Sequence, residues 1–100
     1  MKTFEELKEL VIDWAEKRDI LSPDNHSKQL MKVVEELGEL ASGILKGNRI
    51  EEEDAFCDLL VTVIILAEQR GIDLVTELGN TYATIKDRQG NTVNGTFIKN

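Results

Sequence analysis

With one cysteine, Cys57, the chain has no partner for an internal disulfide, which suits a reducing compartment. Proline occurs once and aromatic residues number only five, so the core must be built from aliphatic side chains on helices. Basic residues are the minority, with 12 Lys and Arg against 19 Asp and Glu and a formal charge of -7. Nonspecific binding to nucleic acid or to an anionic membrane needs a basic face, so this balance argues against both. It permits a phosphate-bearing substrate if divalent cations reverse the local sign. Long apolar runs are missing too. The longest, LLVTVIILA from Leu59 to Ala67, is nine residues, against about 20 for a membrane helix. The N-terminal MKTFEELKEL is too charged for a signal peptide. The expectation is a soluble, cytoplasmic protein.

What is there reads as helix. A chain of 100 residues, 41% hydrophobic and 31% charged, fits one globular domain spanning 1–100. So small a chain often gains burial by self-association. Thr3 and Glu6 have capping-box spacing, and Phe4, Leu7, Leu10, Val11, Trp14 and Ala15 recur at helical intervals, predicting a first helix over 4–20. SPDN, Ser22 to Asn25, is a turn whose proline suits helix initiation. A second helix then runs to Lys46, ended by KGN. The third starts in the acidic run EEEDAF and ends at Gly71, and Asp73 caps a fourth from Leu74 to about Lys86. Short loops make consecutive helices antiparallel, so the expected fold is all-α, an antiparallel four-helix bundle with a short non-helical C-terminal tail. The tail TVNGTFIKN has a strand-like pattern around Asn94-Gly95 but is too short for a sheet of its own. It is expected to pack on a neighbouring element or a second subunit.

KVVEELGEL, Lys32 to Leu40, is the first candidate for chemistry. At roughly 100° per residue, Glu35, Glu36 and Glu39 fall within one arc of about 100°. Like charges this close are tolerable when water screens them or a cation neutralises them. The cluster reads either as the solvated face of an amphipathic helix, shared with Lys28 and Lys32, or as metal ligands. Gly38 within it suggests close approach of another helix. Asp54 and Asp58 share a face of the third helix, and Asp58 adjoins the apolar run without a basic residue three or four positions away. A buried, unpaired carboxylate costs several kcal/mol, so it is expected to find a cation, or else a cap or a salt bridge to Lys86 or Arg88. If the two helices pack about 8–10 Å apart, the carboxylates converge. Hard oxygen donors of this kind select Mg²⁺ or Mn²⁺, whereas His26 and Cys57 are too few for zinc.

KVVEELGELASGILKG, followed by DAFCDLLVTVIILAEQRGID, resembles the MazG-like family of all-α nucleoside triphosphate pyrophosphohydrolases over residues 27–88. That family carries E-E-x-x-E, a spacer, then E-x-x-D. Glu35, Glu36, Glu39 and Asp58 match, while Ala55 stands where the second glutamate belongs and Asp54 is its nearest replacement. The resemblance implies Mg²⁺-dependent hydrolysis of a nucleoside triphosphate to a monophosphate and pyrophosphate, by a housecleaning or pool-regulating enzyme. It implies metal ligation by Glu36, Glu39 and Asp58 with Asp54 assisting, and activation of water by Glu35 or Glu39. It further implies phosphate contacts from Lys86 and Arg88, with Asn80 as the candidate amide. Lys28 and Lys32 lie on the glutamate face within reach of phosphate oxygens, and for all four basic residues the competing reading is solvated surface charge. Trp14 is either a core residue or a stacking partner for the base. Family members assemble as homodimers or homotetramers. The alternatives are a noncatalytic helical interaction module, or a degenerate member, permitted by Ala55, that binds nucleotide without turnover.

Overall fold

The computed structural model describes residues 1–100 and contains four helices and one β-hairpin. Helix α1 (Phe4–Glu16) opens with the Thr3–Glu6 capping box, in which Glu6 N donates to Thr3 Oγ1 at 3.1 Å and Thr3 N to Glu6 Oε1 at 3.2 Å. It ends four residues earlier than the apolar periodicity suggests. Asp19 turns into the left-handed region at φ 56°, and Ile20 N bonds back to Ala15 O. Aspartate tolerates that conformation, so the helix stops without a glycine signal.

Pro23–Asn25 forms a single 3₁₀ turn leading into α2 (His26–Lys46), where the His26 ring Nδ1 lies 2.8 Å from Pro23 O. Gly47 takes φ 69° to close α2, and Asn48 caps α3 (Arg49–Gln69) by accepting from Glu51 N at 3.1 Å. Two residues thus reverse the chain, and α2 and α3 lie against each other as an antiparallel pair. Their approach is closest at Gly43, not at Gly38. A Cβ on Gly43 would stand 3.1 Å from the Glu52 backbone nitrogen, whereas one on Gly38 would meet nothing within 4 Å. Gly43→Ala is therefore expected to destabilise the protein by about 1–2 kcal/mol, overpacking outweighing the gain in helix propensity. Gly38→Ala gains that propensity freely and should stabilise by up to about 1 kcal/mol. Denaturant midpoints of the two variants check both signs.

α1 packs on α3, and the core is small: Ala15, Leu40, Ala55, Ile64, Ile65 and Ala67. The buried Lys8 reaches Glu9 at 3.1 Å and Asp73, the cap of α4 (Leu74–Ile85), at 3.8 Å. Both neighbours raise the lysine pKa, the hydrogen bond to Glu9 foremost. Thr76 N donates to Asp73 and holds that carboxyl below its ordinary range.

Two features correct the expected all-α bundle. The tail folds on itself, β1 (Gly90–Val93) pairing antiparallel with β2 (Thr96–Lys99) in the register Gly90↔Lys99 to Val93↔Thr96. Asn94 and Gly95 both take positive φ, the two-residue turn that matches strand twist. Gly90 is required there, since a Cβ would collide with Ile98 O and the Phe97 ring. In addition, α4 buries no residue and has only marginal contact with the other elements. The radius of gyration, 16.1 Å, exceeds the roughly 13 Å of a compact chain this long. No helix is long and apolar enough to cross a membrane.

Candidate functional site

The tight α2–α3 turn sets the register that brings carboxylates together. Glu39, Ser42 and Lys46 from α2, with Glu51, Asp54, Ala55 and Asp58 from α3, line one cavity of about 320 Å³. Four carboxylates thus face one ammonium, Lys46, whose Nζ lies 3.7 Å from Glu51 Oε2. Glu36 sits one turn before Glu39 and is half-buried. Its Oε2 is shut off from solvent and has no hydrogen-bond partner. Burial raises its pKa most, followed by the charge of Glu39 and a hydrogen bond to it, then Asp58, while Lys32 opposes the shift. The sequence pointed to Asp58 as the desolvated acid. The structure assigns that condition to Glu36 and leaves Asp58 and Asp54 exposed at the cavity. Asp58 lies exposed because α3, though apolar from Leu59 onward, is covered only in part by α1 and α2 within one chain. Neither Lys86 nor Arg88 pairs with it.

The donor set fits a hard divalent cation chemically: an orphaned, desolvated carboxyl oxygen beside Glu39 and Asp58 is what such an ion relieves. As the side chains stand, no three acidic, imidazole or thiol groups are drawn tightly enough together to ligate one ion. Glu35 lies outside the cavity lining, on the exposed surface, 3.6 Å from Lys32. Lys28 and Lys32 line a different cavity, with Asp19, Ile20, Asn25, Gln29 and Gln69. Asn80, Lys86 and Arg88 are exposed on and after α4 and line neither cavity. Trp14 is not core and lines neither of these two cavities; its ring is partly exposed, with the Arg18 guanidinium 4.3 Å from the centroid. Ser42, Lys46 and Glu51 escaped the sequence reading. Ser42 and Lys46 lie three and seven residues after Glu39, on its face of the helix, a signal that was available.

No family model matches the chain, and no solved structure matches it. Over 77 residues, 77% of its length, it is 36% identical to an uncharacterized 18.2 kDa protein in the rep-hol intergenic region of Haemophilus phage HP1 (strain HP1c1). The match covers 47% of that protein, so the chain spans about half the length of this relative.

Proposed function

We propose that the protein is a MazG-like, Mg²⁺-dependent nucleoside triphosphate pyrophosphohydrolase, with Mn²⁺ as an alternative ion. One observation carries the reading: Glu39, Asp54 and Asp58 face one cavity while Glu36, coupled to Glu39 and Asp58, holds an unsatisfied carboxyl oxygen. Glu36, Glu39 and Asp58 would hold the ion, with Asp54 in place of the glutamate that Ala55 omits. A bound divalent cation supplies charge neutralisation for the polyphosphate and acidifies water. The chain's own groups do the rest. Glu39 accepts the proton of the attacking water, the better-supported choice because Glu35 is tied to Lys32 outside the cavity. The water oxygen bonds to the α-phosphorus, the α–β bridge breaks, and pyrophosphate leaves. Lys46, the only basic side chain lining the cavity, binds the departing phosphates.

Self-association is part of the same proposal. The accessible surface of the chain is 7705 Å², against about 5,700 Å² for a compact protein of its mass. That excess, about 2,000 Å² on one chain, is more than twice the roughly 800 Å² that each partner buries in a standard interface and is on the scale of an obligate one. Leu30, Val34, Leu37 and Ile44 of α2 are partly exposed, as are Phe56 and Leu60 of α3 and Leu78, Tyr82 and Ile85 of α4. Light scattering at micromolar concentration should give a dimer or tetramer, and Leu60→Asp should lower the mass. A monomeric wild type contradicts this part of the proposal.

The activity is tested by incubating the protein with each nucleoside triphosphate and deoxynucleoside triphosphate plus Mg²⁺. Pyrophosphate and orthophosphate are then assayed separately. Monophosphate with pyrophosphate is the expected product pair. Orthophosphate alone, or no product from any nucleotide, rejects the reading.

A further inference from the structure

A second cavity, of about 260 Å³, lies towards the N-terminal half of α2, between that helix, the end of α3 and the loop after α1. Its lining includes two buried amides. Gln69 is 5% exposed and Gln29 8%. Gln69 Nε2 donates to Ile20 O at 2.8 Å and Gln29 Nε2 to Thr62 O at 3.2 Å. Backbone carbonyls only accept, so these bonds fix the orientation of both amides and turn their oxygens elsewhere. Gln69 Oε1 is left buried with no donor. An orphaned acceptor of this kind carries an uncompensated desolvation penalty, which a ligand N–H would relieve once the side chain turns this oxygen to the cavity. Asp19 adds a further acceptor at the cavity wall, and Lys28 and Lys32 supply positive charge.

The cavity lies on the same face as the carboxylates. Lys32 and Glu39 are seven residues apart, within about 20° of two full turns, and so roughly 10 Å along one side of α2. Glu36, of the desolvated oxygen, lies between them. A base held at Gln69 therefore lies about 10 Å along α2 from the acidic cavity, a span that a nucleoside triphosphate can bridge.

We propose that this cavity is the nucleobase subsite, and that Gln69 selects a base carrying an exocyclic amino group, as cytosine, adenine and guanine do, over thymine, which has none. A thymine edge offers a carbonyl where the amino group would stand, and two acceptors would face each other. The subsite rests on the hydrolase reading only for where the phosphates go.

The test is a metal-free NMR titration of the full-length, ¹⁵N-labelled protein with the 5′-monophosphates of deoxycytidine, deoxyadenosine and thymidine. The side-chain amide resonance of Gln69 should move with the deoxycytidine or deoxyadenosine nucleotide, and thymidine monophosphate should bind about tenfold more weakly. Gln69→Leu should erase that preference. Should the variant fail to fold, the wild-type side-chain shifts decide alone. Equal binding of all three, or shifts that bypass Gln29 and Gln69, overturns the subsite even if pyrophosphate is released. Selective base binding without pyrophosphate release leaves the subsite standing and rejects the hydrolase reading.

Discussion

Asp58→Asn should remove nucleotide turnover while leaving the fold intact. The carboxylate is exposed at the rim of the acidic cavity and forms no ion pair, so no packing or salt bridge is lost with its charge. Lewis-acid stabilisation of a phosphoryl centre contributes several kcal/mol, so a site short of one ligand should turn over about a thousandfold more slowly or worse. Thermal unfolding without metal should change little, or move upward because one repulsion with Glu36 is relieved. Turnover of the variant within a few-fold of wild type removes Asp58 from the mechanism.

Glu36→Gln should show the second large effect, with opposite signs in the two halves of the experiment. In the metal-free protein, burial and the Glu39 and Asp58 charges hold the Glu36 pKa above its ordinary value. The folded state therefore binds this proton more tightly than the unfolded chain does. Its stabilising contribution is complete below the ordinary glutamate pKa and is lost as pH rises through the higher, folded value. The variant lacks that loss. Without metal it should melt above wild type at neutral pH, and the advantage should shrink as acid protonates wild-type Glu36. Asp73 works in a lower window and in the other direction. Its pKa is depressed, so its contribution is lost as pH falls through its folded value. With Mg²⁺ the order should reverse, because wild type gains stability from an ion that the variant no longer holds. Turnover should fall with it by about a hundredfold or more, roughly 3 kcal/mol of transition-state stabilisation. Melting curves with and without Mg²⁺ across pH 4–8 read all of this. A variant that melts below wild type without metal, or still responds to Mg²⁺, contradicts the assignment.

Local punctuation made much of the helical frame legible. The Thr3 box, Pro23, Gly47 and Asp73 each mark a helix boundary within a residue or two of where the chain turns. What escaped depended on tertiary or unusual backbone geometry. Asp19 ends α1 through a left-handed conformation that no glycine announces. The close approach belongs to Gly43, because the two-residue turn at Gly47-Asn48 brings that end of α2 against the start of α3. A tail judged too short for a sheet closes as a hairpin through its Asn94-Gly95 turn. The carboxylate spacing did identify three of the cavity-lining acids, Glu39, Asp54 and Asp58. It misjudged which acid is desolvated, since an apolar helix is buried only as far as something covers it. The face of α3 that carries Phe56, Cys57, Leu59, Leu60 and Val63 forms an apolar cavity of its own, and Phe56 and Leu60 remain substantially exposed. Lys28 and Lys32 share a helix face with the glutamates, yet they line the neighbouring cavity two turns away.

The proposed convergence of carboxylates on a divalent cation is tested most directly by paramagnetic broadening. Substoichiometric Mn²⁺ added to ¹⁵N-labelled protein should selectively erase amide signals around residues 36–42 and 51–58, and Asp58→Asn should restore them. Broadening spread evenly over the acidic surface, or centred on Glu5, Glu6 and Glu9 of α1, would contradict the account, because the ion would then be following bulk charge and not the α2–α3 groove.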